Sequence, residues 1–82
     1  MSSGEARVVV LGKPDCHLCD IAKDVVARVC AELDVAWVER SIVGNAELQR
    51  RYAELIPVVL VDGRQIAVWR VDEQRLRVAI AR

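Results

Sequence analysis

The strongest constraint on this chain is a junction. The apolar run Val8-Val9-Val10-Leu11 stops at Gly12, Pro14 follows, and a helical pattern opens at Cys16-His17-Leu18-Cys19. A short, mostly β-branched run without polar alternation fits a strand covered on both faces. Gly12 ends that run, and Pro14 keeps Lys13 extended and delays any helix. From His17 to Leu33, apolar residues recur at three- and four-residue spacings. Ala22, Val25, Val26, Val29, Cys30 and Leu33 form one stripe, with Asp20, Lys23, Asp24, Arg28 and Glu32 mainly off it. The junction therefore sets two thiols at the start of a helix that is fed by a buried strand.

The rest of the chain supplies what such a strand needs around it. Residues 1–6 carry no structural signal and read as a frayed terminus. Asp34 closes the first helix, and Val35 to Arg40 has strand composition. Asn45 is a good N-cap for a helix from Ala46 to near Leu55, with Leu48, Tyr52 and Leu55 on its buried face. Ile56-Pro57 interrupts, and Val58 to Val61 reads as a second buried strand. Asp62-Gly63 is a two-residue hairpin signal, and Gln65 to Arg70 is the returning strand. Asp72 caps a final helix whose buried face holds Leu76 and Ile80, with Val71 and Leu76 spaced as a hydrophobic staple. The predicted order is β-α-β-α-β-β-α in one α/β domain spanning residues 1–82, with a right-handed parallel first unit. A four-stranded mixed sheet with helices on both faces is the simplest way to close these parts. No repeat, low-complexity segment or linker interrupts the 82 residues.

Composition narrows the function. A hydrophobic content of 54% argues against disorder. Twelve basic and twelve acidic side chains give a net charge of +0, without a basic face, so nucleic acid is not an expected partner. No apolar stretch approaches the ~20 residues needed to span a bilayer. The start, Met1 to Arg7, lacks the apolar core of a secretory signal, so the expected location is cytoplasmic, away from membranes. In a reducing compartment, a close cysteine pair is more often catalytic or metal-binding than a structural staple.

Cys16 and Cys19 suit disulfide exchange. Cys16 would sit by the free N–H groups and the positive end of the helix dipole, which lower a thiol's pKa. Cys19, nearly one turn on, can bring its sulfur to that of Cys16 and would be the more buried, resolving thiol. Lys13 and protonated His17 favour a Cys16 thiolate, whereas Asp15 and Asp20 oppose it. Metal binding is the competing reading, because a zinc site would need two more ligands. The chain offers His17, awkwardly placed between the cysteines, and Cys30, about three turns or ~16 Å along the same helix. Redox work is therefore preferred, with no metal expected and Cys30 read as a core residue. Trp37 and Trp69 read as strand residues used for packing, and Arg50-Arg51 as a solvated helix face. Pro57 at the head of a strand costs one ladder hydrogen bond. With a cis base rate of about 5% for any X-Pro bond, local physics alone reads Ile56–Pro57 as trans.

Four features together resemble one family: the Lys13-Pro14-Asp15-Cys16-His17-Leu18-Cys19 block after the first strand, Ile56-Pro57 before the third, Asp62-Gly63 in the hairpin, and the element order. The chain is similar over nearly its whole length to the glutaredoxin-like proteins of the thioredoxin superfamily. The resemblance implies a thioredoxin fold, Cys16 as nucleophile and Cys19 as resolving thiol. It implies a cis-proline at Pro57 beside the dithiol, and a backbone at Ile56 that pairs with a bound substrate. Lys13 matches a lysine that contacts a glutathione carboxylate in glutaredoxins. The chain departs from that family at His17-Leu18, where Pro-Tyr is usual, and at Leu55-Ile56, where Thr-Val is usual. It departs again at Ala67-Val68-Trp69-Arg70-Val71, where two glycines and two aspartates usually hold glutathione. It thus most resembles the short glutaredoxin-like proteins of unassigned role.

The expected function is that of a thiol–disulfide oxidoreductase working through Cys16 and Cys19, supported by Lys13, His17, Ile56 and Pro57. The expected substrate is a disulfide-containing protein or small thiol, with glutathione or a reductase as electron donor. No bound cofactor and a monomeric chain are expected. The alternatives are a non-catalytic or redox-sensing module that holds a peptide in the Pro57 groove, and metal carriage by the cysteine pair across a dimer.

Overall fold

The computed structural model describes residues 6–82, so the terminal segment read as frayed lies outside the described residues apart from Ala6. The elements are β1 (Val8–Gly12), α1 (His17–Leu33), β2 (Trp37–Ser41), α2 (Ala46–Tyr52), β3 (Val58–Val61), β4 (Arg64–Val68) and α3 (Glu73–Ala81). The sheet order is β2-β1-β3-β4, with β1 parallel to β2 and antiparallel to β3, and β3 antiparallel to β4. This is the four-stranded mixed sheet of a thioredoxin fold.

Every residue of β1 is buried, because the strand is paired on both edges and covered on both faces. Its alternation divides the core. Val8 and Val10 join Val59 and Val61 of β3 beneath Val26, Val29 and Cys30 of α1 and Leu76 and Ile80 of α3. Val9, Leu11 and Val58 face the other way, with Ile42, under Leu48 and Tyr52 of α2. Two helices thus cover one face and the third covers the other. Ion pairs tie α1 to α3, from Arg28 to Glu73 and from Arg77 to Glu32, and Arg77 also pairs with Glu73 one turn back in α3. Arg7 bridges Asp62 and the carbonyl of Ile80, joining the hairpin to α3.

The local signals act as their chemistry dictates. Asn45 and Asp72 accept from backbone N–H groups as N-caps of α2 and α3. Asp62 and Gly63 both take positive φ, 53° and 83°, as a two-residue hairpin of type I′ requires. Val71 and the fully buried Leu76 meet in one core cluster.

Several boundaries differ from the sequence expectation, each for a reason. Gly12 is the last residue of β1 rather than the residue that stops it, paired with Ser41 of β2. β2 starts at Trp37, not Val35, because Asp34 takes a left-handed cap and the Val35 N–H is drawn back to the Cys30 carbonyl. α2 ends at Tyr52, and a tight turn from the Leu55 N–H to the Tyr52 carbonyl leads into the segment before Pro57. Leu33 is exposed although it continues the apolar stripe. The 17-residue helix spans ~25 Å and the five-residue β1 only ~17 Å, so the final turn overhangs the sheet. β4 ends at Val68, and Trp69 is not a strand residue: its φ is 66° and its ring is half exposed.

Leu76 is wholly buried, so Leu76→Ala should lower the unfolding free energy by about 2–5 kcal/mol in urea titration. The hydrogen bond from Arg77 holds the Glu32 carboxyl below its ordinary value. A depressed carboxylate stabilises the fold above its unfolded pKa and loses that contribution as pH falls through the folded one. Arg77→Gln should therefore raise the Glu32 pKa in an NMR titration and leave acid unfolding starting at a higher pH.

Candidate functional site

The loop 13–16 carries the chain from the buried end of β1 to the start of α1. Asp15 takes a left-handed conformation, φ 60°, which aspartate tolerates better than most residues. The turn delivers Cys16 as the N-cap of α1, extended at φ −113° and ψ 108°. Its sulfur accepts the Cys19 N–H at 3.2 Å, taking the role that a serine or aspartate oxygen usually fills. Its carbonyl accepts the Asp20 N–H, which starts the helical ladder.

Cys16 and Cys19 are joined in a disulfide, with Cα atoms 5.2 Å apart. The two sulfurs differ in access: Cys16 is partly exposed, and Cys19 is 2% exposed. The helix terminus and the Cys19 N–H both bear on the Cys16 sulfur, and both favour its anionic form.

Gly12 has a role that the sequence did not announce. A Cβ on Gly12 would lie 2.9 Å from the Cys19 sulfur and 3.2 Å from its Cβ. The backbone of β1 thus backs directly onto Cys19, and only glycine leaves room for the sulfur there. The signal in the sequence is a glycine that closes an apolar strand just ahead of the cysteine pair.

Pro57 is fully buried, and the Ile56–Pro57 peptide is cis. In the β1–β3 register Leu11 pairs with Val58, so one step further Pro57 lies opposite Gly12. The alternation that points Val59 and Val61 at α1 points Pro57 there as well. Pro57 therefore shares the end and the face of the sheet where Cys19 sits. Among the described residues, the backbone groups of Ile56 have no hydrogen-bond partner.

Trp69 is the second residue of the site that sequence reasoning placed elsewhere. Its backbone N–H donates to the Pro57 carbonyl at 2.8 Å, and its indole N–H donates to the Glu54 carbonyl at 3.0 Å. One residue thus anchors the segment 54–57 at both ends, with a half-exposed ring beside it. Leu18 and Ile21, on the first turns of α1, are also exposed apolar residues.

Lys13 and His17 are both exposed and form no ion pair or hydrogen bond among the described residues. Asp20 is paired with Lys23, which also holds Glu39, so a cation offsets part of the opposing charge. Cys30 is 1% exposed in the core, and burial pushes its thiol pKa up. Trp37 is partly buried against the same core. Among the described residues, no three His, Cys, Asp or Glu side chains come together as metal ligands. No described helix is long and apolar enough to cross a membrane.

Over residues 7–81 the sequence matches the family described as glutaredoxin-like domain (DUF836). The chain belongs to that family. It is 35% identical over 81 residues to an uncharacterized protein of Mycobacterium tuberculosis (strain ATCC 25618 / H37Rv), an alignment covering 93% of this chain and 84% of that one. It is similar to an X-ray structure of a protein from X. campestris, with a TM-score of 0.72 and 32% identity over 87% of this chain and 91% of the other. Fasciola hepatica thioredoxin shares the fold, with a TM-score of 0.61 and 22% identity over 96% of this chain and 81% of that one. A glutaredoxin-like domain with a cysteine pair at this spacing on a helix N-terminus is built for thiol redox chemistry.

Gly12→Ala tests the close approach. Overpacking against Cys19 should cost about 1–3 kcal/mol of stability by denaturant titration of the oxidised protein. Trp69→Phe, which keeps an aromatic ring but loses the indole N–H that holds the Glu54 carbonyl, should cost about 1 kcal/mol in the same measurement.

Proposed function

We propose that this glutaredoxin-like domain is a cytoplasmic dithiol–disulfide oxidoreductase that reduces protein or small-molecule disulfides. The observation that carries this reading is the asymmetry of the pair: Cys16 is a partly exposed N-cap and Cys19 is buried behind it. The Cys16 thiolate attacks one sulfur of the substrate disulfide, forming a mixed disulfide and releasing the other sulfur as a thiolate that takes up a proton. Cys19, as its thiolate, then attacks the Cys16 sulfur. The Cys16–Cys19 disulfide forms and the second substrate thiol leaves. The substrate gains two electrons and two protons, and the dithiol loses them. Glutathione or a reductase restores the dithiol.

Lys13 and His17 are assigned to the electrostatics of the Cys16 thiolate, and Lys13 also to an anionic group of the substrate. The free backbone groups of Ile56, beside Pro57, are assigned to an extended substrate segment. The partly buried Ala67 and Val68 stand in place of two glycines, and their side chains narrow the groove that glycines would open. That favours a protein disulfide over glutathione as substrate.

Equilibration in glutathione redox buffers, acid quench and mass spectrometry test the reading. An internal disulfide and a Cys16–glutathione adduct that titrate in the cytosolic range support it. Cys16→Ser should abolish turnover, Cys19→Ser should trap the mixed disulfide, and thiol titration should place Cys16 below the free value of ~8.5. Full activity in Cys16→Ser would sink the mechanism. A dithiol inert to both glutathione and thioredoxin-type reductases would favour the peptide-holding module instead.

A further inference from the structure

We propose that the free edge of β4, with the groove between it and α3, is a docking site for an extended acidic peptide segment of a partner protein. The groove encloses about 640 Å³ between the end of β3, β4 and α3, and a smaller recess of about 340 Å³ continues it along β4 toward Arg70. The volume is in the range of built ligand sites, roughly 300–1,000 Å³. The floor is apolar, with Ile66 partly buried and Val78 50% exposed. The walls carry more basic than acidic side chains: Arg64, Arg75 and Arg82 line the groove with Asp62 and Asp72, and Arg70 lines the recess with Asp72.

Positive charge is in excess on these walls. Arg7, Arg28 and Arg77 each hold a carboxylate. The four groove arginines make no side-chain ion pair or hydrogen bond among the described residues. The nearby acids are engaged: Asp62 is held by Arg7, Glu73 by Arg28 and Arg77, and Asp72 caps α3. Four exposed guanidinium groups around an apolar floor suit an anionic partner with apolar side chains between its charges.

The backbone selects the form of that partner. β4 is an edge strand, so half of its N–H and C=O groups face away from β3 without a ladder partner. An added strand pairs with those groups and turns one alternate set of its side chains into the groove, where acidic ones meet Arg64, Arg75 and Arg82 above Ile66 and Val78, while the other set faces away. A second copy of the same edge would oppose arginine to arginine, so the occupant is a different, acidic chain. β4 runs from this groove to Trp69 beside Pro57, so a segment docked along it ends at the dithiol's end of the sheet. The docking itself needs no thiol chemistry.

The test is an NMR titration of the full, oxidised chain with an end-capped octapeptide in which glutamate alternates with valine and threonine. Shifts should cluster on Arg64–Val68 and Gln74–Arg82, with slowed amide exchange at alternate β4 residues. Arg64→Ser/Arg75→Ser/Arg82→Ser should weaken binding about tenfold or more, and a lysine-for-glutamate peptide should not bind. The replaced side chains have no partners, so the thermal midpoint should fall only by the small helix-propensity cost at Arg75, and single Arg64→Ser, outside the helix, should give a smaller loss of binding in the same direction. Absence of shifts at millimolar peptide, shifts centred on Arg50 and Arg51, or unchanged affinity in the triple variant would overturn the proposal. So would equal binding of a single-stranded DNA octamer, which would make the site a general polyanion surface.

Discussion

The burial of β1 on both faces and both edges is the constraint on which everything else rests. A strand with no polar side chain cannot present a face to water, so the chain must bring α1 and α3 to one side and α2 to the other. It must also supply a parallel neighbour in β2 and an antiparallel one in β3. The same burial fixes where the chemistry goes. The chain leaves the core at Gly12, turns at Asp15, and enters α1 at Cys16 with the helix terminus pointing out of the sheet's end.

The difference between the two cysteines follows from that path. Cys16 belongs to the turn and Cys19 to the helix, so Cys16 stays partly exposed while the Cys19 sulfur lies against the backbone of β1. Neither position depends on an unusual side chain nearby. Exposure comes from the N-cap position, and burial comes from a strand that carries no Cβ where the sulfur must lie. β3 enters the same end of the sheet through Pro57, and Trp69 anchors the approach to it. The site is thus shared among the ends of β1, α1, β3 and β4, while the arginine groove occupies the outer flank of β4 and α3.

Much of this was legible in the chain because the signals are local. Asn45, Asp72 and Asp62-Gly63 act within a few residues of themselves, and each does in the structure what its side chain or backbone allows. The Cys-x-x-Cys spacing fixed the pair, and the stripe from Ala22 to Cys30 fixed the buried face of α1. Trp69 was misplaced because β-branched neighbours and an aromatic ring read as strand, whereas its two hydrogen bonds to 54–57 hold it in a left-handed turn. Periodicity sets Leu33 on the buried stripe because it carries no information about where the sheet beneath a helix stops.

By itself the sequence determined the order of elements, the caps and turns, the core faces and the cysteine pair, since each depends on contacts within a turn of helix or a pleat of strand. Tertiary structure alone decided that Gly12 backs onto Cys19, that Pro57 lies opposite Gly12, that Trp69 spans 54–57, and that Arg64, Arg75 and Arg82 gather on one edge. These are meetings of residues distant in the chain. Their geometry is set by sheet register and helix overhang, which emerge only when the whole core closes around β1.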